Sequence, residues 1–221
     1  MRFTEPQVVS DRRPDTRDRI LDAAERLFAQ QGFDLTSLRA LTTEADVNLA
    51  AVNYHFGSKD RLFEAVLARL IAPINAERLA RLDALEAKGQ PTVEALIDAF
   101  VGPALRLAND PHRSGIARVL LGRCLSSPDE QMRTLLLRLF GGVLERFIAA
   151  FALALPHLDN DEILWRMFFM IGVMSQTMSC GHHLKFVSMG ACDPGEIDAT
   201  IPRVVQFVAA AMRAPAYEAE R

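Results

Sequence analysis

Cysteine is scarce in this chain of 221 residues, and its three cysteines, Cys124, Cys180 and Cys192, are scattered. They form no C-x-x-C pair, which excludes a disulfide framework and favours a reducing compartment. Cys180-Gly181-His182-His183 groups metal-binding residue types, but no second pair follows at a workable spacing. We therefore expect no metal site and interpret this segment as a helix C-terminus, where the dipole favours histidine. A redox role for Cys180 or Cys192 is a further alternative.

Long hydrophobic runs are also absent. The most apolar stretch, Ile163 to Met178, is interrupted by Arg166 and by Ser175-Gln176, and it is too short to span a bilayer comfortably. The first fifteen residues, MRFTEPQVVSDRRPD, hold no apolar stretch of signal-peptide length. These absences predict a soluble, cytoplasmic protein with no membrane partner.

The chain lacks an excess of positive charge and the usual catalytic signatures. Its formal net charge is −3, and residues 1–69 carry ten Lys and Arg against eleven Asp and Glu. Any contact with nucleic acid must therefore rely on a local patch and on the bases. The sequence contains no G-x-S-x-G, no H-E-x-x-H and no nucleotide-binding loop. We expect neither enzymatic activity nor a cofactor.

Helical patterning is what the sequence does contain. Half of the residues are apolar, Ala and Leu dominate that share, and no stretch has the period of a strand. The pattern predicts an all-α fold, with a compact N-terminal set of short helices followed by a larger helical bundle. Helices are predicted at 16–32, after Ser37, at 49–56, from Ser58 towards Pro73, and at 74–88, 91–108, 113–125, 128–154, 160–182 and 196–212. The predicted organisation is a flexible arm at 1–14, a first domain at 15–62, a second at 63–213 and a flexible tail at 214–221.

Residues 36–62 have the pattern of a helix-turn-helix, whose second helix enters the major groove of DNA. In the predicted turn, Asp46 tolerates a left-handed conformation and Asn48 is a strong N-cap. Asparagine pairs with adenine, tyrosine reaches a phosphate or a base edge, and a lysine at a helix start holds a phosphate. The residues expected to contact DNA are Thr36, Ser37, Asn48, Leu49, Ala50, Asn53, Tyr54, His55 and Lys59. For His55, packing within the domain is an equal alternative.

The stretch LTSLRALTTEADVNLAAVNYHFGSKDRLFEAVL, residues 35–67, resembles the DNA-binding domain of the TetR family of transcriptional regulators. This resemblance implies a homodimer whose C-terminal domain binds a small effector and loosens its grip on a palindromic DNA operator. Asp46 stands where the family usually has Gly, and Asn53 where many members have Tyr. The stretch ILWRMFFMIGVMSQTMSCG, residues 163–181, is similar to the subgroup that represses fatty-acid metabolism genes and responds to long-chain fatty acids or their thioesters.

The predicted helix at 160–182 is apolar nearly all round, so it must be covered on all sides. Its methionines at positions 167, 170, 174 and 178 suit a core, a subunit interface or an adaptable pocket. Arg166 would pair with Glu162 one turn back or meet a carboxylate ligand in the pocket. For a dimer interface we name Ile163, Met167, Ile171, Val204, Val205, Phe207 and Val208. For an apolar effector site we name Phe100, Leu121, Phe140, Leu144, Phe147, Arg166, Met170 and Met174.

Two functions fit these patterns. The first is a homodimeric repressor that leaves its double-stranded DNA operator when an apolar small molecule binds. The second is an all-helical lipid or small-molecule carrier without DNA binding, for which the exposed Asn-Tyr helix and Lys59 would have no use.

Overall fold

The computed structural model of the chain describes residues 15–109 and 130–217. Within these ranges the structure contains eight α-helices and no strand, which confirms the predicted all-α fold. The helices are α1 (Thr16–Leu35), α2 (Leu38–Ala45), α3 (Leu49–Phe56), α4 (Lys59–Glu86), α5 (Val93–Ala108), α6 (Glu130–Ala154), α7 (Asn160–Val187) and α8 (Ile197–Arg213). None of these helices is long and apolar enough to cross a membrane. The predicted arm at 1–14, the helix at 113–125 and residues 218–221 of the tail lie outside the described residues.

The chain divides into two compact units between Val66 and Leu67. The first unit packs α2 and α3 against α1. Apolar residues of α1 recur at helical spacing and are buried, as expected: Ile20, Leu21, Ala24, Leu27 and Phe28. Four apolar residues of α2 and α3 are buried as well: Leu41, Ala45, Val52 and Phe56. The rings of Phe28, Phe33 and Phe63 meet at centroid distances of 4.9 to 5.6 Å and close this small core.

The turn between α2 and α3 has the predicted geometry. Asp46 adopts the left-handed conformation (φ 50°, ψ 54°), and the Asn48 side chain accepts a hydrogen bond from the Ala51 N–H at 2.8 Å. Arg19 of α1 fixes the turn from outside, because its guanidinium donates to the carbonyls of Ala45, at 2.8 and 3.1 Å, and of Asp46. A long-range charge-assisted contact therefore supplements the local capping.

The second unit is built around α5, which packs against α6, α7 and α8. Ten residues of α5 are buried, from Val93 to Leu105, so this helix has almost no solvent face in its first three turns. Buried residues of α6, α7 and α8 complete the core, among them Phe147, Phe151, Met167 and Ile201. This packing supplies the main hydrophobic stabilisation of the unit.

Two predicted helix ends are wrong. The helix that starts after Ser58 does not stop at Pro73 but continues as α4 to Glu86, because Ile71, Ile74 and Leu82 on both sides of the proline are buried and hold the helix together. The helix predicted to end near Gly181 continues as α7 to Val187, with Lys185 in its last turn. His182 and His183 therefore lie within a helix.

The contacts of Arg19 generate a stability prediction. Arg19→Met removes the donors from the carbonyls at the end of α2, and we expect a loss of about 2 kcal/mol in the free energy of unfolding. The matched control is Arg26→Met on the same helix, which removes an exposed ion pair with Glu44 at 3.0 Å and costs less than about 1 kcal/mol. Urea unfolding followed by circular dichroism measures both. Equal losses in the two variants would show that Arg19 does not hold the turn.

Candidate nucleic-acid interface and ligand cavity

The outer face of α3 is presented to solvent. Ala50 and Asn53 are exposed, Leu49 is 49% exposed and Tyr54 is 86% exposed, whereas Val52 and Phe56 on the opposite face are buried. The arrangement matches the face expected from the sequence. A large aromatic side chain and an amide thus lie side by side on a helix of eight residues that is packed from behind.

Ser37 and Asn48 hold the starts of α2 and α3. The Ser37 hydroxyl accepts a hydrogen bond from the Ala40 N–H at 3.1 Å, in the same way that Asn48 caps α3. Both side chains are exposed, so each positions its helix while its remaining hydrogen-bonding capacity faces solvent. Their predicted contacts with DNA stay predictions.

The prediction that Thr36 contacts DNA needs correction. Its side chain is fully buried, and its hydroxyl hydrogen bonds to the carbonyls of Gly32 at 2.7 Å and Leu27 at 3.3 Å. These carbonyls lie at the point where Gly32 (φ 78°) interrupts α1 and leaves backbone acceptors without helical partners. Thr36 closes the end of α1 and is not accessible to DNA.

Lys59 and His55, two further residues predicted to contact DNA, already contact other residues of their own unit. The Lys59 ammonium lies 4.3 Å from the centre of the Phe33 ring and 3.4 Å from the Asp34 carbonyl. Lys59 is the first residue of α4, where Ser58 caps the Arg61 N–H at 3.1 Å, and a phosphate at this helix start would draw on both the ammonium and the dipole. His55 is half-buried between Tyr54 and Phe56, with ring centroids 5.2 and 6.2 Å away.

Two exposed arginines of the first unit were not identified from the sequence. Arg39 on α2 and Arg61 in the first turn of α4 form no ion pair with any residue in the described ranges, unlike Arg26, which pairs with Glu44. Helical spacing did not identify them, because it shows only that an arginine is on the surface. It does not show whether the side chain contacts solvent or a phosphate.

The second unit contains an apolar cavity of about 370 Å³, within the range of volumes that hold small ligands. Four of the predicted effector residues line it: Phe100, Phe140, Leu144 and Met174. The other lining residues are Arg78, Arg133, Leu136, Leu137, Ile171 and Ser175. Of the predicted interface residues, Ile171 thus borders the cavity instead.

Three other predicted effector residues do not line this cavity. Phe147 is fully buried and packs edge-on against Phe100 with centroids 5.1 Å apart, so it belongs to the core behind the wall. Met170 is also buried and borders a separate groove between α7 and α8. Leu121 lies outside the described residues.

Arg166 is the remaining predicted effector residue that does not line the cavity, and its role is structural. Its guanidinium donates to the Glu162 carboxylate at 2.7 and 2.9 Å and to the carbonyls of Ala211, Met212, Ala214 and Pro215 at 2.7 to 3.1 Å. It therefore caps the C-terminal end of α8 by donating to carbonyls of the last turn and of the two residues that follow it; the Ala211 carbonyl also accepts the Ala214 N–H. The Glu162 pairing was one of the two arrangements considered from the sequence, and the role in an effector site needs correction.

Arg78 is the buried cation of the cavity and was not singled out from the sequence. Its side chain is 2% exposed, and its Nε donates to the Phe100 carbonyl at 2.7 Å. One terminal nitrogen donates to the Asn75 side chain at 3.3 Å, and the other contacts the Met174 sulfur at 3.6 Å. Its position on the inner face of α4, four residues after Ile74 and four before Leu82, is the signal that could have identified it.

Burial changes the electrostatics of Arg78. Desolvation lowers the pKa of its guanidinium to about 10, so the group is still charged at neutral pH. Keeping the charge inside the unit costs roughly 3 kcal/mol at this shift. No carboxylate in residues 15–109 or 130–217 forms an ion pair with it.

Most of the residues predicted for the dimer interface also need correction. Ile163, Met167, Val204 and Val208 are buried in the core of their own protomer, and Val205 packs against that core, so these residues are not available to a partner. Phe207 is 65% exposed. Its exposed aromatic neighbours on α7 are Trp165, Phe168 and Phe169, at 59%, 65% and 58%. We call these four residues the aromatic face.

No group of three or more His, Cys, Asp or Glu side chains in the described part of the chain is arranged to hold a metal ion. The rings of His182 and His183 lie with centroids 4.0 Å apart on α7.

An N-terminal helix-turn-helix followed by a helical bundle is the architecture of bacterial regulatory proteins. The chain belongs to the TetR family: residues 20–66 match the model of bacterial regulatory proteins of the tetR family, and residues 98–211 match the tetracyclin repressor-like C-terminal domain. This is a family of transcriptional regulators, which are not enzymes.

Curated relatives match a limited part of the chain. The HTH-type transcriptional repressor NicS of Pseudomonas putida is 42% identical over 69 residues, which cover 31% of this chain and 32% of NicS. The probable HTH-type transcriptional regulator YttP of Bacillus subtilis is 42% identical over 53 residues, which cover 24% of this chain and 26% of YttP. The matches thus span about a quarter to a third of the length of these relatives.

Solved structures match nearly the whole chain. The fatty acid degradation regulator FadR of Bacillus halodurans superposes with a TM-score of 0.66 at 13% identity, covering 91% of this chain and 98% of that chain. FadR of Bacillus subtilis, solved in complex with stearoyl-CoA, superposes with a TM-score of 0.67 at 13% identity, covering 87% and 97%. At this identity the likeness concerns the fold alone.

The role of Arg166 is testable by stability. Arg166→Met removes the guanidinium donors from the carbonyls at the end of α8 and from the half-buried Glu162 carboxylate, so we expect a loss of about 3 kcal/mol in the free energy of unfolding. Arg203→Met is the matched control, because Arg203 is exposed on α8 and donates only to the Ala199 carbonyl. Thermal and urea unfolding without any ligand compare the two. An unchanged stability of the Arg166 variant would contradict the capping role.

Proposed function

We propose that this chain is a DNA-binding transcriptional repressor that acts as a homodimer and is released from a palindromic operator by an apolar small molecule. A fatty acid or an acyl thioester is the effector class that we put forward first. The observation that carries the proposal is the exposed face of α3. Asn53 and Tyr54 lie on this face, and the opposite face of the helix is buried in the helix-turn-helix core.

In this proposal α3 lies in the major groove. The Asn53 amide pairs with an adenine edge, and Tyr54 reaches a base edge or phosphate. In the same unit, hydroxyl, amide and cationic groups contact the backbone phosphates in this proposal: those of Ser37, Asn48, Lys59, Arg39 and Arg61. Because few cations are available in this unit, we expect modest affinity for random DNA and a specificity that depends on base contacts.

The aromatic face supports the homodimer. Four large aromatic side chains on adjacent helices α7 and α8 are each more than half exposed, a density that a solvent-facing surface rarely carries. A second copy of the chain would cover them in a symmetric contact and place two α3 helices on one palindromic site, with half-sites about one turn of DNA apart or slightly more.

The cavity supports the effector response. Its wall is almost entirely apolar, and its volume of about 370 Å³ suits a small hydrophobic molecule. Binding there would favour a state in which the two DNA-reading helices are wrongly spaced, and such coupling typically amounts to about 1–3 kcal/mol. The same cavity favours the second candidate, a helical carrier of small molecules that does not bind DNA.

Replacement of Tyr54 distinguishes repressor from carrier. We expect Tyr54→Ala to weaken binding to the selected operator by about tenfold or more, because a contact at the reading surface is lost, and to leave ligand binding unchanged. Tyr217→Ala is the matched control, since Tyr217 is 82% exposed in the other unit. Fluorescence anisotropy measures the affinities, with a site selected from random DNA and from the region upstream of the gene.

The comparison includes competition by random DNA at two salt concentrations, because the non-specific contribution weakens steeply with salt. Equal operator affinity for Tyr54→Ala and wild type would remove α3 from the interface. Failure of the wild type to select any site, together with ligand binding, would favour the carrier.

The aromatic face makes a separate prediction about assembly. Phe169→Glu places a charge on a side chain that is exposed in the protomer, so the protomer should stay folded while the dimer dissociates at least tenfold more readily. Leu153→Glu on α6 is the control, because Leu153 is 72% exposed and lies outside this face. Sedimentation equilibrium measures the dissociation. A wild-type monomer, or equal dissociation in both variants, would contradict the assignment.

A further inference from the structure

We infer that Arg78 binds the anionic head group of the effector, and that the effector is an amphipathic carboxylate whose apolar body fills the cavity. This inference rests on the proposed effector role of the cavity. It narrows the ligand class from apolar molecules in general to free acids, and away from alcohols, esters and other neutral derivatives.

The charge balance around Arg78 is the first step. Its neighbours in the second unit have carboxylate partners: Arg81 pairs with Glu77 and Asp98, Arg146 with Asp83 and Glu86, and Arg213 with Glu94. Buried Arg166 has Glu162. Arg78 is buried more deeply than any of these, yet within the described ranges it has no acid in contact. A buried charge without a counter-ion is costly unless an anion joins it.

The hydrogen bonds of Arg78 are the second step. A guanidinium has five N–H groups. Among the described residues they find two oxygen acceptors, on Phe100 and Asn75, and the Met174 sulfur. Sulfur is a weak acceptor, and Met174 forms part of the cavity wall. Donor capacity is therefore left on the cavity side, where a carboxylate would accept it in the planar geometry that arginine favours.

The surroundings of the guanidinium are the third step. Its central carbon lies 4.2 Å from the Phe100 ring centre and 6.0 Å from the Phe140 ring centre. Both rings line the cavity and place apolar surface beside the guanidinium. In such a weakly polar environment the attraction between a guanidinium and a carboxylate is much stronger than in water.

The rest of the wall fixes the shape of the ligand. Leu136, Leu137, Leu144 and Ile171 present aliphatic surface, and Arg133, exposed on α6, is the second charged side chain along the wall. Among the residues that the structure describes, the lining contains two cations and no acid. A molecule with an apolar body and one negative end matches this distribution, whereas a cationic ligand would be repelled.

A purely structural role for Arg78 predicts a different outcome. In that case the guanidinium only ties α4 to α5 through the Phe100 carbonyl. Its removal would then weaken the binding of all cavity ligands in parallel. The informative quantity is therefore the ratio of affinities for an anion and its neutral counterpart.

The experiment compares decanoate with 1-decanol, which share a chain length and differ in the charged group. Isothermal titration of the full chain at pH 8 gives both dissociation constants. We expect the wild type to prefer decanoate by at least about tenfold. Arg78→Gln should lose this preference while 1-decanol still binds, and Arg78→Lys should retain part of it. Arg203→Gln, which removes an exposed arginine of α8 that does not line the cavity, is the control and should leave the preference unchanged.

Three results would overturn the inference: no decanoate preference in the wild type, an unchanged preference in Arg78→Gln, or a parallel loss of both ligands. If Arg78→Gln does not fold, the wild-type preference and its partial retention in Arg78→Lys still decide the matter.

Operator binding measured on the same samples separates this inference from the proposed function. Selective decanoate binding without DNA binding supports the role of Arg78 in a carrier and rejects the repressor. DNA binding without any decanoate preference keeps the repressor and rejects the anionic head group.

Discussion

The second unit is organised by the absence of a polar face on α7. A helix of this kind must be covered on every side, because each exposed apolar side chain forgoes its transfer free energy from water. One side of α7 is covered by the protomer itself, through Ile163, Met167 and Met170. Ile171 and Met174 line the cavity, and Trp165, Phe168 and Phe169 are left in solvent. The buried core, the apolar cavity and the exposed aromatic face therefore all follow from this one constraint.

The sequence was most informative where structure is determined locally. Asn48 caps α3, Ser58 caps α4, and Asp46 takes the left-handed conformation, because each depends on a side chain and the backbone within three residues. Helix ends that depend on distant packing were wrong. A proline normally ends a helix, but buried residues before and after Pro73 hold α4 together, and no local rule contains that information.

For the candidate sites too, the sequence predicted what depends on local pattern and missed what depends on distant contacts. The exposed face of α3 followed from helical periodicity, since burial of Val52 and Phe56 places Asn53 and Tyr54 outside. Thr36 was misassigned because the carbonyls that bind its hydroxyl come from the distorted end of α1, which only the folded structure reveals. Most of the residues predicted for the interface are buried in their own protomer, because an apolar helix gives no periodic signal of which side faces the protomer.

The two buried arginines illustrate how a charge becomes tolerable inside a protein. Arg166 is matched by a carboxylate and by four carbonyls at a helix end, so its desolvation is offset within the protomer. Arg78 has two oxygen acceptors and a sulfur, and burial lowers its pKa to about 10. A methionine or leucine at this position would fill the same space without that cost. The stability of the protomer therefore does not explain the guanidinium, whereas an anion in the adjoining cavity does, because binding it would recover the energy spent on desolvation.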